Sequence, residues 1–90
     1  MAVAIVLINV VAQETNRVAE ELASISGISE VYSVAGNYDL VAVVRVKDND
    51  VLAALVTDQM RKVGGITRTE TLIAFKAYSQ HDLNSLFDMN

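Results

Sequence analysis

Cysteine and proline are absent from this chain, and it has a single histidine. Without cysteine there is no disulfide framework, no thiolate metal site and no cysteine nucleophile. Without proline no helix or strand is interrupted from within, and no segment reads as a stiff linker. Basic residues are few: lysine and arginine number 7 against 11 aspartates and glutamates, a net charge of −4. Nucleic acid would find no electrostatic footprint here, and an anionic membrane surface would repel the chain. Long apolar runs are missing as well. The longest unbroken one, Ala2 to Ile8, reaches Ala12 only across Asn9, far short of the ~20 residues that span a bilayer. Its start carries no basic charge and no small-residue cleavage site, so it is not a signal peptide. The chain is expected to be soluble and cytoplasmic.

What is present is apolar. The 90 residues suffice for one domain, and 52% of them are hydrophobic with 20% charged, against roughly 45–50% and about 25% in average domains. A chain this short is dominated by its surface. The surplus of apolar residues therefore predicts that a second subunit covers part of that surface.

Residues 3–11 are nearly all apolar and rich in β-branched side chains, which predicts a buried strand. Over 15–26 the period changes: Val18, Leu22 and Ile25 fall on one helical stripe, with Arg17, Glu20, Glu21 and Ser24 opposite. Gly27 stands where a helix C-terminal glycine belongs. A second strand is predicted over 28–35, a turn at Gly36-Asn37, and a third strand over 39–46. Asp48-Asn49-Asp50 supplies a cap and negative charge for a helix over 50–62, which carries Leu52, Leu55, Val56 and Met60 on one stripe and ends at Gly64-Gly65. A fourth strand is predicted over 66–77. A tail helix follows at about 80–88, capped by Ser79, with Leu83, Leu86 and Phe87 on one side.

The order β-α-β-β-α-β defines an α+β, ferredoxin-like sandwich with a short C-terminal helix. Gly27-Ile28-Ser29 and Gly65-Ile66-Thr67 each close a helix and open a strand, so the two halves echo one another. Right-handed crossovers place both helices on one face of an antiparallel sheet whose central pair is strands one and three. Those two strands do not alternate apolar with polar, as a sheet with one wet face would. Their second apolar face predicts sheet-to-sheet packing on an identical subunit, a dimeric α/β-barrel type of assembly.

The familiar uses of this fold leave few residues behind. Base stacking needs aromatic residues on the central strands, and there are none. Phosphate transfer needs a glycine-rich loop followed by lysine, whereas Gly64-Gly65 is followed by Ile66-Thr67 and reads as a helix stop. No nucleophilic triad or metal-ligand spacing stands out. His81, beside Gln80 and Asp82, reads as solvated. A small dimeric-barrel enzyme would need a cavity between helices and sheet; Val18, Leu22, Leu52 and Val56 read as plain core, against it. No cofactor is expected, and the chain is read as a non-enzyme.

One polar constellation remains. Gly36, Asn37, Tyr38 and Asp39 lie at the hairpin between strands two and three. Thr67, Thr69 and Thr71 share one face of strand four by their two-residue spacing. An aspartate can hold an ammonium group, and threonine hydroxyls with turn amides can hold a carboxylate. Together they suit a small zwitterion. A simpler explanation stands beside it: the glycine turns the chain, Asp39 caps the turn, and threonine is an ordinary strand residue.

The segment Val34-Ala35-Gly36-Asn37-Tyr38-Asp39-Leu40-Val41 resembles the G-x-Y-D hairpin of the effector domain in the leucine-responsive/asparagine-responsive (Lrp/AsnC) regulators. Residues 65–74 are similar to that family's G-V-x-R-T-x-T strand, and residues 26–36 to its second strand. The likeness covers residues 3–77 in order and spacing. It implies a dimer through the sheet, a ring of dimers (commonly an octamer), and a small amino-acid effector seated between dimers. By motif, Gly36, Tyr38 and Asp39 would line that pocket, Asp39 facing the ammonium group, with Thr69 and Thr71 nearby; Asn37 stands where the family varies. The helix-turn-helix of full regulators has no counterpart before the first strand. The resemblance is thus to the stand-alone effector (RAM) domain, and direct nucleic-acid binding is not carried over. Two readings remain open beside a sensor: a structural module that co-assembles with full-length Lrp/AsnC regulators without ligand, and a small barrel enzyme.

Overall fold

A computed structural model describes residues 1–78 and residue 80. Four strands and two helical segments follow in the predicted order: β1 (Ala2–Val10), α1 (Thr15–Ala23), β2 (Ile28–Ser33), β3 (Leu40–Val46), α2 (Asn49–Ala54) and β4 (Ile66–Ile73). The sheet is antiparallel with spatial order β2-β3-β1-β4, so β1 and β3 are central. The tail helix expected at 80–88, with Ser79 and His81, lies outside the described residues except for Gln80.

Strand alternation builds the core. Ala2, Ala4, Val6 and Ile8 of β1 are buried, as are Leu40, Ala42, Val44 and Val46 of β3. Val18 and Leu22 of α1, Leu52 of α2, and Leu55, Met60 and Val63 beyond it close over them. α1 packs chiefly on β2, and α2 on β3 and β1. Among the described residues the opposite face has no such cover. Register places Ile5 between Val43 and Leu72, and Leu7 between Val41 and Glu70. On this face Ile5 is 38%, Leu72 45% and Tyr32 52% exposed.

The ends of elements depart from expectation for local reasons. α1 stops at Ala23 rather than 26, because the Ser24 hydroxyl donates to the Glu21 carbonyl (2.6 Å) and competes with the next helical bond. Gly27 then turns the chain at φ +101°, the left-handed conformation glycine adopts without a steric penalty. β2 ends at Ser33, two residues before its expected end at 35, where the hairpin begins. β4 ends at Ile73 instead of 77; Ala74 N–H still reaches the Val3 carbonyl (2.9 Å), and the pairing goes no further although Ala2 of β1 remains.

The second helix starts as expected: Asp48 accepts from the Val51 N–H (2.9 Å), satisfying an otherwise orphan donor. Its second half is not α-helical. Leu55–Gln59 widens into a π-turn and Met60–Lys62 tightens into a 3-10 turn. Thr57 donates its hydroxyl to the Ala53 carbonyl (2.6 Å), a back-bond of the kind that bends helices.

Candidate functional site

The predicted site divides between two places. The hairpin Gly36–Asp39 is tied to the end of β1. Asp39 N–H donates to the Ile8 carbonyl (2.9 Å), and Val10 N–H donates to Asp39 Oδ2 (2.9 Å). Asn9 Nδ2 donates to the Asn37 carbonyl (3.0 Å) and, at 3.5 Å, to Asp39 Oδ2. Asp39 is half-buried, while Gly36 and Asn37 are exposed. One carboxylate oxygen of Asp39 therefore serves the chain itself; Oδ1 accepts no hydrogen bond from any described residue.

Tyr38 reaches further. Its hydroxyl donates to Glu70 Oε1 (2.7 Å), bridging the hairpin to β4. That bond, with partial burial and the negative charge of Glu70, raises the phenol above its ordinary pKa. Glu70 lies opposite Leu7, on the uncovered face.

Thr69 and Thr71 lie opposite Ile8 and Val6, two buried core residues, and so point to the helix face. The register skips Thr67, at the irregularity between Asn9 and Val10. Tyr38 and the pair Thr69, Thr71 thus approach β4 from opposite faces of the sheet. Along the helix face, β4 and the irregular end of the second helix enclose two clefts. One, of about 350 Å³, is bordered by Thr57, Met60, Arg61, Ile66 and Thr69 among others. The other, of about 170 Å³, is bordered by Leu52, Ala53, Thr71 and Ile73. They share Val56 and Thr57. Val56, expected to be plain core, is only half-buried and forms a wall of both.

Asn9, Glu70 and Arg61 were missed by sequence reasoning. Asn9 had a signal: it alone interrupts the apolar run of β1. Glu70 and Arg61 had none, since only the register brings Glu70 to Tyr38 and only the helix end brings Arg61 to β4. Among the described residues no three histidine, aspartate or glutamate side chains converge as a metal set, and no helix is long and apolar enough to cross a membrane.

The family model described as "Lrp/AsnC ligand binding domain" matches residues 3–83. The chain belongs to that family, and the domain is a regulatory, effector-binding one. A crystal structure of TTHA0845 from Thermus thermophilus superposes with TM-score 0.83 at 44% identity, covering 89% of this chain and 100% of that one. A feast or famine regulatory protein from M. tuberculosis, complexed with L-methionine, superposes with TM-score 0.73 at 27% identity, over 89% of this chain and 54% of that one. An uncharacterized HTH-type transcriptional regulator of Pyrococcus horikoshii is 38% identical over 58 residues, 64% of this chain. The chain spans 39% of the length of that curated relative. These kinships point away from an enzyme.

Proposed function

We propose that this chain senses a small amino acid as an oligomer, its assembly or choice of partner responding to the ligand. The observation that carries the reading is the Gly36–Asp39 hairpin, held against β1 and β4, in a chain matched over residues 3–83 to a ligand-binding family. The M. tuberculosis relative complexed with L-methionine supports the amino-acid class. Asp39 Oδ1 is the partner for the ammonium group, Gly36 and Asn37 offer exposed turn amides, and Tyr38 closes one side. Thr69 and Thr71 take the carboxylate. Because Tyr38 and these threonines approach β4 from opposite faces, one ligand meets both sets only where copies of the chain adjoin. The open apolar sheet face supports the homo-oligomer. A ligand seated there shifts assembly by its differential affinity for the two states, not by its total affinity.

One observation favours a second reading. Asp39 Oδ2 already holds the Val10 N–H, which is all that a module without ligand requires. Such a module would assemble with itself, or with full-length Lrp/AsnC-type regulators.

A thermal-shift screen against the twenty amino acids at fixed protein concentration separates the two. A ligand at 100 times its Kd adds about 2.7 kcal/mol and moves the midpoint by roughly 10–20 °C for a domain of this size. The sensor reading expects a selective shift. Asp39→Asn keeps an acceptor for Val10 but loses the charge, so ligand affinity should fall about tenfold or more while the apo midpoint holds. No shift with any amino acid leaves the assembly module as the function.

A further inference from the structure

The two clefts between β4 and the end of the second helix meet at Val56 and Thr57, and they differ in chemistry along their length. At one end Leu52, Ala53, Val56 and Ile73 present aliphatic surface. At the other stand Arg61 and the hydroxyls of Thr67 and Thr69, with Arg68 at the border. Among the described residues no acid borders either cleft, although the chain carries a net charge of −4. The acids nearest in sequence to Arg61 and to the threonines are turned elsewhere. Asp58 borders a different hollow, between the helices and beside Lys62, and Glu70 is bonded to Tyr38 on the far face. Among the described residues Arg61 makes no ion pair, and Thr67, Thr69 and Thr71 make no side-chain hydrogen bond. The wall carrying Val56, Thr57 and Arg61 is also where the helix widens and then tightens, an irregularity that recurs at functional sites.

We propose that this groove is a binding site, complete within one chain, for a small aliphatic monocarboxylate without an ammonium group, such as a branched 2-oxo acid. The carboxylate sits at Arg61 and the threonine hydroxyls, a charge-assisted pairing. The branched tail lies along Val56 toward Ile73, where its burial drives association. An α-ammonium group would find no anion among the described residues of either wall and would face the like charge of Arg61. The two clefts, of about 350 and 170 Å³, fall together within the roughly 300–1,000 Å³ that small-ligand pockets occupy. The site shares Thr69 and Thr71 with the inter-subunit amino-acid reading, but it is complete within one chain and does not use Asp39.

The test is an NMR titration of the isotopically labelled full chain with isovalerate, acetate, isovaleramide, 4-methyl-2-oxovalerate and L-leucine. Isovalerate and the oxo acid should shift the amides of Thr57, Arg61, Thr69 and Ile73 saturably. Acetate, lacking the tail, and isovaleramide, lacking the charge, should each bind about tenfold or more weakly. The oxo acid should bind more tightly than L-leucine at these amides. Arg61→Gln should cost about tenfold in isovalerate affinity, and Asp39→Asn should leave it unchanged. Equal binding of isovaleramide, no loss in Arg61→Gln, tighter leucine binding at these amides, or shifts confined to other residues would each overturn the proposal. A negative amino-acid screen with a positive isovalerate titration would remove the sensor reading and leave this one standing.

Discussion

Single residues hold this fold at points where backbone or charge admits little else. A Cβ on Gly27 would stand 2.8 Å from Leu55 Cδ1 and 2.8 Å from Val46 Cγ1, at a φ of +101°. Gly27→Ala combines a left-handed backbone cost with overpacking of two core side chains and should destabilise by about 2–4 kcal/mol. Gly64, where a Cβ meets nothing within 4 Å, is the control: Gly64→Ala should change the urea midpoint little. Tyr38 and Glu70 give a prediction in pH. The phenol is raised in the folded chain first by its hydrogen bond to Glu70. The stability it contributes is therefore complete below the unfolded phenol pKa and is lost as pH rises through the folded one. Glu70→Gln should bring the Tyr38 titration, followed by NMR of its labelled ring, back toward the ordinary phenol value. An unmoved titration would mean that Glu70 is not the cause. Glu30 behaves in the opposite sense. Its bond to Arg45 (2.9 Å), ahead of lesser contacts, lowers its pKa, so its contribution is present above the ordinary carboxylate value and fades as pH falls through the lowered one.

At the scale of elements, capping and partner length decide where segments begin and end. Asp48 acts as the predicted cap of the second helix, through the Val51 N–H. Asp48→Ala should cost about 1 kcal/mol in chemical denaturation, and Asp48→Asn much less, since an amide oxygen still accepts. The start of that helix was legible because Asp48-Asn49-Asp50 precedes an apolar stripe. Its π and 3-10 continuation was not, since Leu52, Leu55, Val56 and Met60 keep a helical period through it. β4 was overestimated: its ladder with β1 ends at the Ala4–Ile73 pair, Ala74 adds one bond to Val3, and the alanines and lysine of 74–77 are weak strand formers. Threonine spacing in β4 placed Thr67, Thr69 and Thr71 on one face; the register keeps Thr69 and Thr71 there and skips Thr67. It could not say that this face is the helix side, because that depends on register with β1.

The described residues are shaped by one asymmetry: a sheet covered on one side by two helices and open on the other. Continuous apolar character in β1 and β3 already implies it, since helices on a single face leave the second face without cover. Ile5 lies at the middle of the open face, flanked by Val43 and Leu72. Ile5→Arg places a charge there without touching the helix-side core. In sedimentation velocity it should reduce the assembly to a smaller species, while far-ultraviolet circular dichroism stays unchanged. An unaltered sedimentation coefficient would show that subunits do not meet through this face.

Pattern and chemistry alone determined the element order, the central pair of strands, the capped helix start and the hairpin at Gly36-Asn37. Each of these depends on neighbours within a few residues, or on the alternation that sorts side chains to two faces. Tertiary structure alone decided that Tyr38 meets Glu70, that Asn9 and Val10 share Asp39, and that Arg61 stands across a groove from Thr69. These pairings join residues up to 32 apart in sequence. They are set by strand register and by where the helix unwinds, and neither leaves a local mark in the chain.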